Sequence, residues 1–211
     1  MNKSIAILIS GEGTNLQAFI DAQKEQLLQG KIAVVISNQP QAKGLKRAQL
    51  ANIPSDTINH KDFKNRDEFD YALSKTIDKY QPDLIVLAGF MRILGTPFVT
   101  KYQSKLVNIH PSLLPKFTGL NTHQKALDAN ETEHGCSIHF VTDELDGGPV
   151  FAQAKVKVSQ QDNKHTLANK VHQLEHQLYV KCVNLLLSNR LTLNNQKVFY
   201  NNEPLIGTIG L

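Results

Sequence analysis

Short runs that are apolar at nearly every position alternate along this chain with stretches of helical length, and that alternation restricts the fold more than any other feature. Residues 4–9, 32–36, 84–87 and 106–110 read as strands. The first three are apolar on almost every residue, as strands covered on both faces are. Between them, stretches near 14–29, 42–51 and 66–80 have the length of helices. Asn65 stands where an N-cap would, ahead of Arg66-Asp67-Glu68 in a first turn. The pattern predicts an α/β fold with a doubly wound, mostly parallel sheet.

From about residue 135 the pattern changes. Residues 136–140 and 150–158 are strand-like and flank the turn-rich segment 142–148, which predicts an antiparallel C-terminal strand region. A long helix follows near 163–188, its apolar residues Leu167, Val171, Leu174, Leu178, Cys182 and Leu185 recurring at steps of three and four. Residues 1–190 read as one domain, and 191–211 as a tail of short edge strands or a loose end. A chain of 211 residues buries roughly 70–75% of its unfolded surface and needs no staples.

Charge and composition narrow the function. The net charge of +4 comes from 23 basic and 19 acidic residues spread along the chain, which favours small anionic molecules and argues against nucleic acid as a partner. Cys136 and Cys182 are too few for a disulfide framework and fit a reducing compartment. The apolar runs 5–9 and 84–89 are too short for a secretory or membrane-spanning segment, so the expectation is a cytoplasmic protein without a membrane partner.

Three segments carry chemistry. Ser10-Gly-Glu-Gly-Thr-Asn15 follows the first strand and opens the first helix, where glycines admit a ligand and free N–H groups favour an anion. It fails the dinucleotide fingerprint: Leu16 stands at the third glycine position, and no acidic residue follows the second strand. A phosphate monoester fits, as does a tight turn capped by Thr14 or Asn15. In Leu106-Val-Asn-Ile-His110, Asn108 and His110 share one face and Pro111 stops the strand, so an amide and an imidazole project from a carboxyl end of the sheet. Such a pair can stabilise an oxyanion and move a proton, or simply bond to each other. Asp143-Glu-Leu-Asp146-Gly-Gly148 reads either as a solvated hairpin with Gly147 and Gly148 at positive φ, or as a carboxylate source for His110. A rival pattern, His172-Gln-Leu-Glu-His176, fits a helical zinc-protease motif, but Glu203 is the only acid beyond Glu175 to complete it.

Taken in order, Ser10-Gly-Glu-Gly-Thr-Asn-Leu-Gln17, Leu87-Ala-Gly-Phe-Met-Arg-Ile-Leu94, Asn108-Ile-His-Pro-Ser-Leu-Leu-Pro115 and the run from His134 to Pro149 resemble the glycinamide ribonucleotide formyltransferases, folate-dependent enzymes of purine biosynthesis. The resemblance runs from residue 4 to about 188 at nearly constant spacing. It implies the Rossmann-like formyltransferase fold and transfer of a formyl group from 10-formyltetrahydrofolate, as co-substrate, to the amine of 5′-phosphoribosylglycinamide, with no metal. It implies a catalytic trio of Asn108, His110 and Asp146. It further implies substrate phosphate and ribose contacts at Gly13, Thr14, Asn15, Leu16, Gln17 and Glu175. Folate contacts are implied at Arg66, Met91, Arg92, Ile93, Leu94, Asn108, Thr142, Asp143, Glu144, Leu145 and Asp146. The chain would act as a monomer or homodimer.

Two positions depart from the family's pattern, which usually reads Pro where Thr118 stands and His where Asn121 stands. Thr118 loosens a rigid turn, and Asn121 cannot donate a proton as an imidazolium would. Three alternatives stay open. A formyltetrahydrofolate hydrolase would use the same trio with water, but usually carries an N-terminal regulatory domain, whereas this sequence opens on its first strand. A methionyl-tRNA formyltransferase would need an RNA-binding domain after the long helix. A phosphosugar- or folate-binding module would tolerate loss of the trio.

Overall fold

The structure, a computed structural model, describes residues 3–211. In chain order the elements are β1 Ser4–Ile9, α1 Thr14–Lys24, β2 Lys31–Ser37, α2 Lys43–Leu50, β3 Ser55–Thr57, a 3-10 turn His60–Asp62, α3 Arg66–Tyr80, β4 Leu84–Leu87, α4 Thr96–Lys101 and β5 Leu106–His110. Then follow α5 Thr122–Asp128, β6 Glu133–Phe140, β7 Val150–Lys157, α6 Lys164–Leu187, β8 Leu191–Asn194, β9 Lys197–Tyr200 and β10 Glu203–Pro204.

Seven strands form one sheet in the order β3-β2-β1-β4-β5-β6-β7. β1 to β5 run parallel, while β6 and β7 are antiparallel to their neighbours. The chain winds outward from β1 to β3 and then returns to β4 on the other side of β1. That reversal puts a crevice at the carboxyl ends of β1 and β4, where open α/β sheets bind ligands.

The period-2 geometry of a strand explains why β1 is apolar throughout. Ile5, Ile7 and Ile9 join a core that includes Phe19 of α1 and Tyr179 of α6, whereas Ala6 and Leu8 join the opposite core with Phe69 and Leu73 of α3 and Phe98 of α4. Each buried Ile, Leu or Phe among them contributes about 1.5–3 kcal/mol. Tyr179 is fully buried, meets Phe19 edge to face at 5.3 Å, and sets its hydroxyl 3.0 Å from Leu87 O and 3.1 Å from Val107 O. Its one proton serves either carbonyl, which ties α6 to the ends of β4 and β5.

Side-chain caps set the starts of α3 and α6. The Asn65 side chain accepts from Glu68 N–H at 2.9 Å, and Asn163 and Thr166 form a capping box at α6. α1 differs from expectation at both ends. It stops at Lys24 rather than near 29 because Gln26 turns left-handed, at φ 60°, and Leu27 and Leu28 bond back to Ala22 O. Neither Thr14 nor Asn15 caps it; the N-cap is Gly13, with no side-chain cap bond.

β3, α4 and α5 appear without having been foreseen. Residues 191–204 form a separate antiparallel sheet in the order β10-β9-β8, and Ile209 pairs in parallel with Ala152 on β7. Among the described residues, no helix is long and apolar enough to cross a membrane.

Candidate active site

β1 delivers Ser10 to the crevice, and the loop behind it starts α1. Gly13 sits at φ 71°, and a Cβ there would lie 2.8 Å from Gly44 Cα, so the crossing of α1 over the start of α2 requires glycine. Thr14 to Gln17 form the first turn of α1; Gln17 N–H donates to Gly13 O at 2.9 Å, while the amides from Gly13 to Leu16 have no helical partner. Leu16 is fully buried, so its side chain belongs to the core. Gln17 Oε1 accepts from Arg47 Nη1 at 3.0 Å, while Arg47 Nε donates to Glu12 O at 2.8 Å. Arg47 thus adds positive charge beside this helix start; its place on a different helix hid it from sequence reading.

Asn15 Nδ2 donates to Glu175 Oε2 at 3.0 Å, bringing α6 to the same loop. Glu175 is only 3% exposed, and burial pushes its carboxyl up; the Asn15 bond and the nearby His172 and His110 oppose that shift. Asn15 Oδ1 is itself buried without a partner.

Asn108 and His110 project from the same face of β5, and the turn after β6 brings Asp146 to them. Asp146 Oδ2 lies 3.4 Å from His110 Nδ1 and accepts from Gly119 N–H at 2.9 Å. His110 Nε2 donates to Phe117 O at 2.9 Å, so both ring nitrogens face oxygen acceptors. Residues separated by 36 positions in sequence therefore converge at one pocket mouth. The segment 117–119 touches both groups, through Phe117 O and Gly119 N.

His139, on β6, was given no role in the sequence reading. It is buried, and burial pushes its imidazole pKa below 6.5. The neutral ring donates from Nδ1 to Phe140 O at 2.9 Å, which leaves Nε2 to accept from Asn108 Nδ2 at 3.1 Å. With Nε2 unprotonated, its 3.9 Å approach to Asp146 Oδ1 is no ion pair. The antiparallel register that pairs Asn108 with His139 was the signal that sequence alone lacked.

A cavity opens beside this mouth. Arg92, Ile93, Leu94, Asn108, Thr142, Asp143, Glu144, Leu145 and Asp146 all line it. Met91 lies outside that lining and is 65% exposed. Arg66 also lies outside, at the start of α3, with Nε 3.5 Å from where a Cβ on Gly95 would stand. The turn differs from expectation: neither Gly147 nor Gly148 has positive φ, and Asp146 takes the left-handed conformation at φ 53°. Gly148 is required for a different reason, because a Cβ there would fall 1.8 Å from Phe140 O.

A second group of imidazoles lies behind the mouth. His123 Nδ1 is 3.1 Å from His134 Nε2, and the His123 and His172 rings are 6.4 Å apart. Burial lowers His123 to about 4 and pushes His134 and His176 down as well. Among the described residues, no three His, Cys, Asp or Glu side chains converge as metal ligands. Of the two departures, Asn121 stands at the N-cap position of α5 without a side-chain cap bond, at φ 60°, a left-handed conformation that asparagine tolerates, and Thr118 O accepts from Lys125 Nζ at 2.9 Å.

Comparison with known proteins bears on this arrangement. Residues 3–183 match the formyl transferase family model. The sequence is 46% identical to the phosphoribosylglycinamide formyltransferase of Escherichia coli, over 96% of this chain and 95% of that protein. It is 44% identical to the bovine trifunctional purine biosynthetic protein adenosine-3 over 90% of this chain, which spans 19% of that longer protein. The phosphoribosylglycinamide formyltransferase structure from Coxiella burnetii superposes with a TM-score of 0.93 at 51% identity, covering 98% of this chain and 97% of that one. A formyltetrahydrofolate deformylase from Pseudomonas syringae gives 0.88 at only 26% identity, covering 95% of this chain and 66% of that one.

Proposed function

The chain belongs to the formyl transferase family, and from that premise we propose that it moves the formyl group of 10-formyltetrahydrofolate to the amine of 5′-phosphoribosylglycinamide. The observation that carries this reading is the convergence of His110 and Asp146 at a cavity that Asn108 and Asp146 line, on the same sheet whose first strand leads into the free helix start at Gly13.

In this reading the phosphate rests on the free amides of Gly13 to Leu16 with the Gln17 side chain nearby, and Glu175 accepts from the ribose hydroxyls. Folate lies along 91–94 and 142–146. The amine nitrogen bonds to the formyl carbon, and the carbonyl electron pair moves onto oxygen. Asn108 and His110 donate to that oxygen, which replaces Phe117 O as the partner of His110. Asp146 accepts from His110 Nδ1 and holds the ring. The bond from carbon to folate N10 then breaks as the oxygen's electron pair returns. The proton lost by the amine reaches N10 through the His110–Asp146 pair or water. Preorganised donors of this kind are each worth about 10²–10³ in rate.

The test is a folate-absorbance assay with phosphoribosylglycinamide as acceptor, run beside a water-only control. Acceptor-dependent turnover is expected. Equal turnover in both reactions makes the protein a hydrolase, and saturable binding without turnover makes it a binding module.

A further inference from the structure

The segment that borders the cavity from Ala88 to Gly95 has no regular structure. Phe90 and Leu94 point into the core beside α3, whereas Met91 and Ile93 point outward, 65% and 56% exposed. Among the described residues, the amides of Arg92, Ile93 and Leu94 donate to no protein acceptor. The register of this wall is therefore not set by a ladder of its own.

It is set from outside, near its two ends. Met91 N–H donates to Ser10 Oγ at 2.7 Å, and Ser10 N–H donates back to Gly89 O at 3.1 Å. The Ser10 hydroxyl donates in turn to Oδ1 of the buried Asn38. At the far end, Gly95 N–H donates to Asp70 Oδ2 at 2.7 Å in a buried contact. Asp70 is 6% exposed, and its other oxygen, Oδ1, is buried without a partner. A half-satisfied buried carboxylate is costly, and an apolar residue would serve packing better. The one bond this carboxylate makes is the one that holds the wall.

We propose that Ser10 and Asp70 are positioning residues of the folate site, pinning the wall 88–95 on either side so that its free backbone groups and outward apolar side chains meet the ligand in one register. This rests on the formyltransferase reading above. The Ser10 pin also joins the wall to the loop that begins the proposed phosphate site, across the crevice between β1 and β4.

Binding of 10-formyltetrahydrofolate by calorimetry and steady-state kinetics together test the clamp. Asp70→Ala is expected to weaken folate binding and raise the folate KM about tenfold, with kcat within threefold and the phosphoribosylglycinamide KM unchanged. Asp70→Asn keeps an oxygen for Gly95 N–H and is expected to stay within twofold of the parent. Ser10→Ala is expected to weaken folate binding to a similar degree, and carries the test if Asp70→Ala does not fold. Unchanged folate affinity in the folded alanine variants overturns the proposal. So does an Asp70→Asn variant as weak as Asp70→Ala, or an Asp70→Ala loss shared equally by both substrates. A parent protein that binds no folate fails the functional reading instead.

Discussion

His139 accepts a hydrogen bond from the Asn108 amide at 3.1 Å, and because burial keeps that imidazole neutral, the bond fixes which way the amide faces. An amide free to rotate would present its oxygen to a developing oxyanion as readily as its N–H. His139→Phe keeps the volume and removes the acceptor. Its kcat should fall about 10- to 100-fold with both KM values little changed, by analogy with other residues that orient a reacting group. An unchanged kcat would show that Asn108 needs no such support.

Asp146 lies 3.4 Å from His110 and makes its other close bond to Gly119 N–H. Asp146→Asn is nearly isosteric but cannot serve as an anionic acceptor. Turnover should drop about 10²- to 10⁴-fold. Affinity for phosphoribosylglycinamide, measured by calorimetry, should move less than twofold, because the phosphate and ribose contacts proposed for it lie on α1 and α6. Retained turnover would remove Asp146 from the chemistry.

Glu175 sets binding against stability. Its raised pKa means that the folded state holds the proton more tightly than the unfolded chain does. The ionised form therefore penalises folding in full above that raised value, and the penalty shrinks as pH falls from it and is gone below the unfolded value of 4.5. Glu175→Gln should melt at a higher temperature than the parent at pH 7, with the gap narrowing in acid. Its KM for phosphoribosylglycinamide should rise about tenfold or more, as charge-assisted bonds to the ribose weaken. Equal melting temperatures at neutral pH would contradict the assigned burial penalty.

Two buried imidazoles, His134 and His139, and two half-buried ones, His123 and His176, have lowered pKa values. Each is neutral in the folded state and takes up a proton on unfolding below 6.5. Their stabilising effect is present above 6.5 and lost as pH falls toward the folded values, which for His123 is about 4. Each such group steepens the fall in stability by up to about 1.4 kcal/mol per pH unit, offset in part by Glu175 and Asp70. Denaturant midpoints at pH 7, 6 and 5 should decrease in order, and His123→Gln should flatten that decrease. A midpoint constant across this range would be inconsistent with neutral buried rings.

The main sheet and the long helix were legible because their signals are local or periodic: strands apolar on both faces, the cap at Asn65, and the apolar stripe of α6. β3 was hidden because Ser-Asp-Thr at a sheet edge has no apolar period. α4 and α5, of six and seven residues, are too short for one. Asn108 and His110 were legible as a pair on one strand face. His139, Arg47, Ser10 and Asp70 take their places from strand register and interhelix contact, which no spacing along the chain encodes. The turn at 146–148 was misjudged because glycine there answers to the nearby Phe140 carbonyl rather than to backbone dihedral.

The pairing of Ile209 with β7 has a consequence for solution behaviour. Ile209 N–H donates to Phe151 O at 2.8 Å and Gln153 N–H donates to Ile209 O at 3.0 Å. That single bridge closes hydrogen-bonding positions along the outer border of the sheet. Removal of residues 205–211 would leave β7 with a bare template for another copy's backbone. A shortened protein should self-associate by strand addition, seen as larger species in light scattering, while its catalytic groups stay intact.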